Sequence, residues 1–287
     1  ARGTDKKRII LHTSLTQLSP LMPSEPGQLP PVNPKEVAWL LREKYQGVES
    51  PEFFADVERL KQAAPVAYLI GWVDFLGCRI DVTKHPMIPR PETEFWLEGA
   101  IKAIKETYGD QKIAMLDVFS GSGCIGVAAA KHLPNATIDF SEYDPLLAEE
   151  IALNVDQNGV KAQCGAIMTG DAFEKITKRY DVIFANPPYI SPKGKDEMDW
   201  SVIGYEPHLA FFSEEEGLKH AHEIIETGDR YLNEGGRYYI EHDAHQLPDL
   251  ERLLAASPVQ WDYEILKDQY DQIRFLVLRL PSKSASA

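Results

Sequence analysis

Few folds accommodate the order in which Ile113-Ala114-Met115-Leu116-Asp117-Val118 turns through Phe119-Ser120-Gly121-Ser122-Gly123 into Cys124-Ile125-Gly126-Val127-Ala128-Ala129-Ala130. The first run reads as a buried strand, the glycine segment as a tight turn, and the last run as a helix packed back on the strand. Glycines at such a turn let the backbone come close to a ligand. Residues 136–142 read as a second strand that places Glu142 at its carboxyl end, and Pro145 then opens a helical stretch that stops at Asn158-Gly159. Ala166-Ile167-Met168 precedes Gly170-Asp171-Ala172-Phe173, and Tyr180-Asp181-Val182-Ile183-Phe184-Ala185 is the next strand-like run. This alternation implies an α/β fold, an open sheet with helices on both faces, in which ligands bind in the crevice beyond the carboxyl ends of the strands.

The sharpest chemical signal follows the run at 180–185. Asn186-Pro187-Pro188-Tyr189 interrupts it with groups suited to a planar amide or amine. The lone pair of such a nitrogen is delocalised, so a catalyst must accept hydrogen bonds from its N–H groups and aim the lone pair at an electrophile. Asn186 supplies a side-chain oxygen, and Pro187, lacking an N–H, presents only its carbonyl. Pro187 and Pro188 stiffen the loop, and the Tyr189 ring offers a flat surface. Rate enhancement would then come from positioning and preoriented dipoles, without a strong general base. Alone, the tetrapeptide equally reads as a turn, since Asn and Pro are common turn formers. The upstream strand ends shift that balance. Glu142 can accept both hydroxyls of a ribose, with Asp144 the competing candidate, and Asp171-Ala172 lies where an adenine edge would fall. Any one of these acidic residues is equally a solvated loop charge, and a lone glycine turn is weak; their order along one sheet carries the argument.

From about Pro65 to Pro281 the chain resembles the S-adenosylmethionine-dependent protein-(glutamine-N5) methyltransferases that modify peptide-chain release factors, a class I methyltransferase family with a Rossmann-like sheet. The resemblance rests on Asn186-Pro187-Pro188-Tyr189, on Ile88-Pro89-Arg90-Pro91-Glu92-Thr93-Glu94, on Pro65-Val66-Ala67-Tyr68-Leu69-Ile70-Gly71, and on Tyr205-Glu206-Pro207-His208-Leu209-Ala210. It implies that Asn186 and the Pro187 carbonyl bind the glutamine amide, with Pro188 in the same clamp and Tyr189 packed against the amide. It implies that Phe119, Ser120, Gly121, Ser122 and Gly123 line the methionine part of S-adenosyl-L-methionine, with Asn186 beside it. Glu142 would hold the ribose, and Asp171-Ala172 would lie near the adenine. The substrate implied is the glutamine of the Gly-Gly-Gln motif of a class 1 release factor. Two positions depart from the family pattern. Phe119 stands where the first glycine of acidic-x-Gly-x-Gly-x-Gly is usual, and would either narrow the pocket or point into the core; Ala172 stands where many relatives carry an aromatic residue.

Length and charge agree. The 287 residues allow one α/β domain of roughly 200 residues plus an appendage. No stretch approaches a membrane span, and the opening residues lack the apolar run of a signal peptide. Cys78, Cys124 and Cys164 are widely spaced with no CxxC, which suggests neither disulfides nor zinc and fits a reducing cytoplasm. A net charge of −14 argues against direct binding of nucleic acid, which ordinarily needs a basic surface, and suits a basic protein partner. The competing readings are an adenine-N6 or other nucleic-acid amino-methyltransferase, whose flipped base the same clamp would hold, and a non-catalytic binding module in which Phe119 blocks the cofactor.

The expected organisation is an irregular lead-in over 1–33, a small helical domain over 34–64, a linker and hairpin over 65–95, the methyltransferase domain over 96–281 and a tail over 282–287. The helical domain follows from Val37, Leu40, Leu41 and Tyr45 at helical spacing and from Ser50-Pro51 as a second start; the resemblance implies that it recognises substrate. Residues 191–205 read as an irregular flap and 214–232 as one long helix. Gly235-Gly236 reads as preceding a strand over 237–241, and the closing runs suit an antiparallel hairpin. His220-x-His222 and His242-x-x-His245 lack supporting ligands and are not read as a metal site.

Overall fold

The computed structural model describes residues 31–281. The expected lead-in falls almost wholly on residues 1–30, and the tail on 282–287, so both lie outside the described residues. Asn33 caps α1 (Pro34–Glu43) by accepting from the Lys35 N–H at 3.0 Å. Ser50 caps α2 (Pro51–Lys61) in the same way through Phe53, and a proline opens each helix, where its missing N–H costs nothing. Leu40, Phe53 and Leu60 close a small core with Leu69 of α3 (Val66–Ile70). The strands β1 (Trp72–Phe75) and β2 (Cys78–Asp81) form the expected hairpin, and α4 (Pro91–Tyr108) follows the Ile-Pro-Arg-Pro segment.

The main body runs β3 (Ile113–Val118), α5 (Cys124–His132), β4 (Ala136–Glu142), α6 (Pro145–Gln157), β5 (Cys164–Thr169), β6 (Tyr180–Ala185), α7 (Trp200–Tyr205), α8 (Lys219–Thr227), β7 (Leu232–Glu241), α9 (Leu247–Ala256), β8 (Asp262–Lys267) and β9 (Ile273–Arg279). The strands form one sheet in the order β5-β4-β3-β6-β7-β9-β8. From β5 to β7 every pairing is parallel, and β9 runs antiparallel to both its neighbours, which gives the expected mixed edge and closing hairpin. The chain leaves β3 towards β4 and β5, then returns to place β6 on the other side of β3. The crevice therefore opens beyond the carboxyl ends of β3, β4 and β6.

Successive strand residues feed two cores, as a period of two requires. Met115, Val182, Phe184 and Tyr239 face one side with Trp96, Leu97 and Ile104 of α4; Leu116, Ile183, Ala185 and Tyr238 face the other with Ile224 and Ile225 of α8. No helix among the described residues is long and apolar enough to cross a membrane.

Three local expectations are corrected. Residues 191–205 are not irregular: they hold a 3-10 turn, Pro192–Glu197, and then α7, whose start is set by Asp199 accepting from the Ser201 N–H at 2.7 Å. Residues 214–232 are not one helix. A 3-10 turn, Glu215–Gly217, precedes α8, another, Gly228–Tyr231, follows it, and Leu232 already belongs to β7. The backbone turns left-handed over Glu215, Glu216 and Gly217, and only glycine fits at 217, where φ is +88° and a Cβ would stand 2.1 Å from the Tyr189 carbonyl oxygen. Gly235 and Gly236 lie inside β7, beside a register shift against β6 between Tyr180 and Val182, and do not precede the strand.

Gly126 sits where α5 crosses the sheet. A Cβ there would lie 2.3 Å from the Phe140 ring and 3.0 Å from the Asp117 carboxyl. Gly126→Ala is therefore expected to lower stability by about 1–3 kcal/mol through overpacking, read as a lower midpoint in thermal and urea denaturation.

Candidate active site

The carboxyl ends of β3, β4 and β6 border a cavity of about 460 Å³. The turn after β3 forms its floor. Ser120 is buried, its hydroxyl donating to the carbonyls of Asp117 (2.7 Å) and Ser141 (3.1 Å), so the turn is tied to both strands. Beneath it Asp117 is fully buried. One of its oxygens accepts from the Gly126 N–H at 2.9 Å and the other has no partner, and burial pushes its carboxyl well above the ordinary range.

Glu142, 8% exposed, faces the same space. Its two oxygens accept from the backbone N–H groups of Gly121 (2.7 Å) and Asp144 (2.9 Å), which fixes the carboxylate and leaves lone pairs for a ligand. Burial raises its pKa against those two donors. Asp144, the competing acid, also borders the cavity, but one of its oxygens caps α6 through the Leu146 N–H at 2.8 Å.

Phe119, Ser120, Gly121 and Ser122 line the cavity, with Asp171 and Ala172 at one end. Gly123 does not line it: it is the N-cap of α5, and a Cβ there would press on Ile151 at 3.1 Å. Phe119 resolves into both of its alternatives. Its ring lines the cavity wall and packs on the second core, 4.8 Å from the His220 ring between centroids, while its backbone takes a left-handed φ of +62°. His220, at the start of α8, is held below the ordinary histidine range by burial and then by the Lys219 charge. His222 faces Glu215 and Glu226, so the two histidines diverge; His242 is buried and His245 is exposed beside Asp243.

Asn186 borders this cavity and a smaller one of about 180 Å³, whose walls include Met87, Arg90, Tyr189, Met198 and Phe211. Pro188 lines the larger space, and Pro187 is buried and lines neither. The Tyr189 hydroxyl donates to Glu241 at 3.1 Å; burial, then the Glu241 charge, pushes the phenol up.

Several contributors were not singled out as site residues from the sequence. Glu241, 2% exposed at the end of β7, accepts from the Thr93 hydroxyl (2.7 Å) and the Trp96 indole N–H (2.9 Å) as well as Tyr189. Asn186 Nδ2 in turn donates to Thr93 Oγ1 at 3.5 Å. Arg90 pairs with buried Glu206 at 2.7 Å, and Glu206 also accepts from the Ile88 N–H at 2.9 Å. The sequence signal for Glu241 was available: it is a carboxylate closing an apolar strand, the same position that drew attention to Glu142.

Sheet order and the crevice beyond β3, β4 and β6 define a class I methyltransferase fold. The catalytic domain of hMettl16, solved with the MAT2A 3'UTR hairpin 6, has this fold at a TM-score of 0.56, 16% identity and coverage of 72% of this chain and 76% of that one. The putative methyltransferase yhhF from Escherichia coli has it at a TM-score of 0.50 and 14% identity, over 74% of this chain and all of that one. The family described as Methyltransferase small domain matches residues 101–204. Two curated relatives are each called Release factor glutamine methyltransferase. That of Streptococcus pneumoniae is 32% identical over 241 residues, covering 83% of each chain, and that of Enterococcus faecalis is 34% identical over 235 residues, covering 80% of this chain and 82% of its own. The chain belongs to the release factor glutamine methyltransferase family, and it is an S-adenosylmethionine-dependent methyltransferase.

Phe119 occupies a backbone conformation that costs an L-residue about 1 kcal/mol relative to glycine. Phe119→Ala keeps that cost and loses the ring, whereas Phe119→Gly loses only the ring. The glycine variant is expected to be the more stable of the two by about 1 kcal/mol, measured by chemical denaturation.

Proposed function

We propose that this protein transfers the methyl group of S-adenosyl-L-methionine to the side-chain amide nitrogen of the glutamine in the Gly-Gly-Gln motif of a class 1 peptide-chain release factor. The observation that carries the reading is the state of Asn186: its Nδ2 gives one hydrogen back to Thr93 Oγ1 at 3.5 Å, which ties the NH₂ end to α4 and makes its Oδ1 the acceptor available to a ligand where the two cavities meet. An acceptor there suits a substrate N–H; Pro187, buried and bordering neither cavity here, would offer its carbonyl to the second N–H only after the loop shifts on substrate binding. The smaller cavity is of a scale suited to a side chain, and the larger one to a cofactor.

Glu142 is the residue to hold the ribose hydroxyls. Phe119 to Ser122 border the methionine part, and Asp171-Ala172 the adenine; Gly123 acts through the turn it closes. The cofactor, once bound, supplies an electrophilic methyl group and a neutral thioether leaving group. Asn186, and Pro187 after that shift, hold the substrate nitrogen by its hydrogens and orient its lone pair along the transfer line. Pro188 and Tyr189 anchor the far end of that segment, Tyr189 through Glu241. The nitrogen gains one carbon and releases one proton to solvent, so no buried base is needed. We read the helical part over 34–64, α1 and α2, as the part that recognises the release factor, with 65–95 as the link to the methyltransferase domain over 96–281. The acidic balance suits a basic partner, and three free cysteines suit a reducing cytoplasm.

Asn186→Ala is expected to lower kcat on a release factor by roughly 100-fold or more, with a far smaller change in cofactor affinity by calorimetry. Near-wild-type turnover would refute the clamp. The pH dependence of cofactor binding tests Glu142. An ionised carboxylate accepts the ribose hydroxyls, and its pKa is raised by burial. Affinity is therefore expected to be full above that raised value and to fall as pH drops through it, earlier than for an ordinary glutamate. Glu142→Gln is expected to weaken binding at pH 8 and to remove the pH step.

A further inference from the structure

An asparagine side chain is nearly symmetric in shape, and with its amide reversed Asn186 would offer donors to a substrate that also donates. Something must set its polarity. The hydrogen bonds behind it do so in a fixed direction. The Trp96 indole nitrogen can only donate, and it donates to Glu241 Oε2 at 2.9 Å; with the carboxyl ionised, that oxygen only accepts. The Thr93 hydroxyl lies 2.7 Å from the same oxygen and must give it its single hydrogen. Thr93 Oγ1 then has only lone pairs to offer, and the Asn186 atom beside it at 3.5 Å must be the NH₂ group. The three groups behind Asn186 are buried, Thr93 1% exposed, Trp96 5% and Glu241 2%, while Asn186 itself is half-buried at the cavities. The third donor, Tyr189, binds the other carboxylate oxygen at 3.1 Å and does not compete for Oε2.

We infer that Trp96, Glu241 and Thr93 form a one-way hydrogen-bond relay that fixes the amide orientation of Asn186, with Thr93 as the positioning residue that makes the clamp an acceptor. The relay deepens the glutamine reading and rests on it for the identity of the substrate. Its own action depends only on the substrate presenting an N–H.

The relay makes an unusual ordering of variants. Thr93→Val keeps the side-chain shape and removes the hydroxyl, leaving the Asn186 amide free to turn. Thr93→Ser keeps the hydroxyl. The experiment is steady-state kinetics on a class 1 release factor, with cofactor affinity by calorimetry, and hydrogen exchange of the Asn186 side-chain NH₂ followed by NMR on asparagine-labelled protein. Thr93→Val is expected to lower kcat by roughly 10- to 100-fold, the scale of disturbing one positioned dipole, and to speed the NH₂ exchange. Its KM for the release factor changes less, its cofactor affinity stays at the wild-type value, and Thr93→Ser stays within roughly fivefold of wild-type kcat, about the net worth of one hydrogen bond.

Wild-type kcat and unchanged exchange in Thr93→Val would overturn the relay. So would equal damage from Thr93→Val and Thr93→Ser, because the shared effect would then be packing. A wild-type protein inactive on the release factor would instead count against the glutamine reading, and the exchange experiment would still decide the relay.

Discussion

The arrangement around the clamp depends on one buried carboxylate. An ionised glutamate removed from water costs several kcal/mol unless donors replace its hydration, and burial alone does raise the Glu241 carboxyl against its donors. Three donors from distant parts of the chain meet that demand: Thr93 and Trp96 from α4, and Tyr189 from the loop after β6. Because each must be present, the helix, the loop and the end of β7 hold one relative position. The Asn186 amide inherits its place and direction from that agreement. A loop that would otherwise be a plain proline turn becomes an anchored surface.

The other buried acids near the crevice do related work with different partners. Glu206 joins Arg90 and the Ile88 N–H, so the segment before α4 is pinned to the segment after α7 and the smaller cavity has a fixed wall. Glu142 is pinned by backbone N–H groups alone, which leaves its outer face for a ligand. Asp117 has one N–H for two oxygens, and burial pushes its carboxyl well above the ordinary range, where it lies below the turn that lines the cavity. Four carboxyl groups in one region thus differ in role because their donors differ.

The strands β3 and β6 were legible because their runs are mostly apolar, and β4 because apolar and polar residues alternate along it; the polar groups at or just after the ends of β4 and β6 also exposed Glu142 and Asn186. The helix starts at Ser50 and Pro145 were legible because capping is local. The structure brings Asn186, Glu142, Asp171, Ala172 and the turn at 119–122 around one cavity, while Gly123 and Pro187 stand behind its surface. What sequence reasoning missed depends on contacts far apart in the chain. Thr93 and Glu241 are separated by 148 positions, and nothing in either neighbourhood indicates the other. The expected helix over 214–232 fails at its start, where Glu215 to Gly217 are left-handed and the Tyr189 carbonyl lies so close to Gly217 that no side chain fits, a constraint that helical periodicity does not contain. Phe119 offered two outcomes that sequence left open; a wall residue that also packs on the core satisfies both.

The most direct measurement is mass-spectrometric mapping of the product after incubation with methyl-labelled S-adenosylmethionine, a class 1 release factor and mixed nucleic acid in one vessel. The account predicts one methyl group on the side-chain nitrogen of the Gly-Gly-Gln glutamine, absent when that glutamine is replaced. Label on nucleic acid, or on the factor at any other residue, would contradict it.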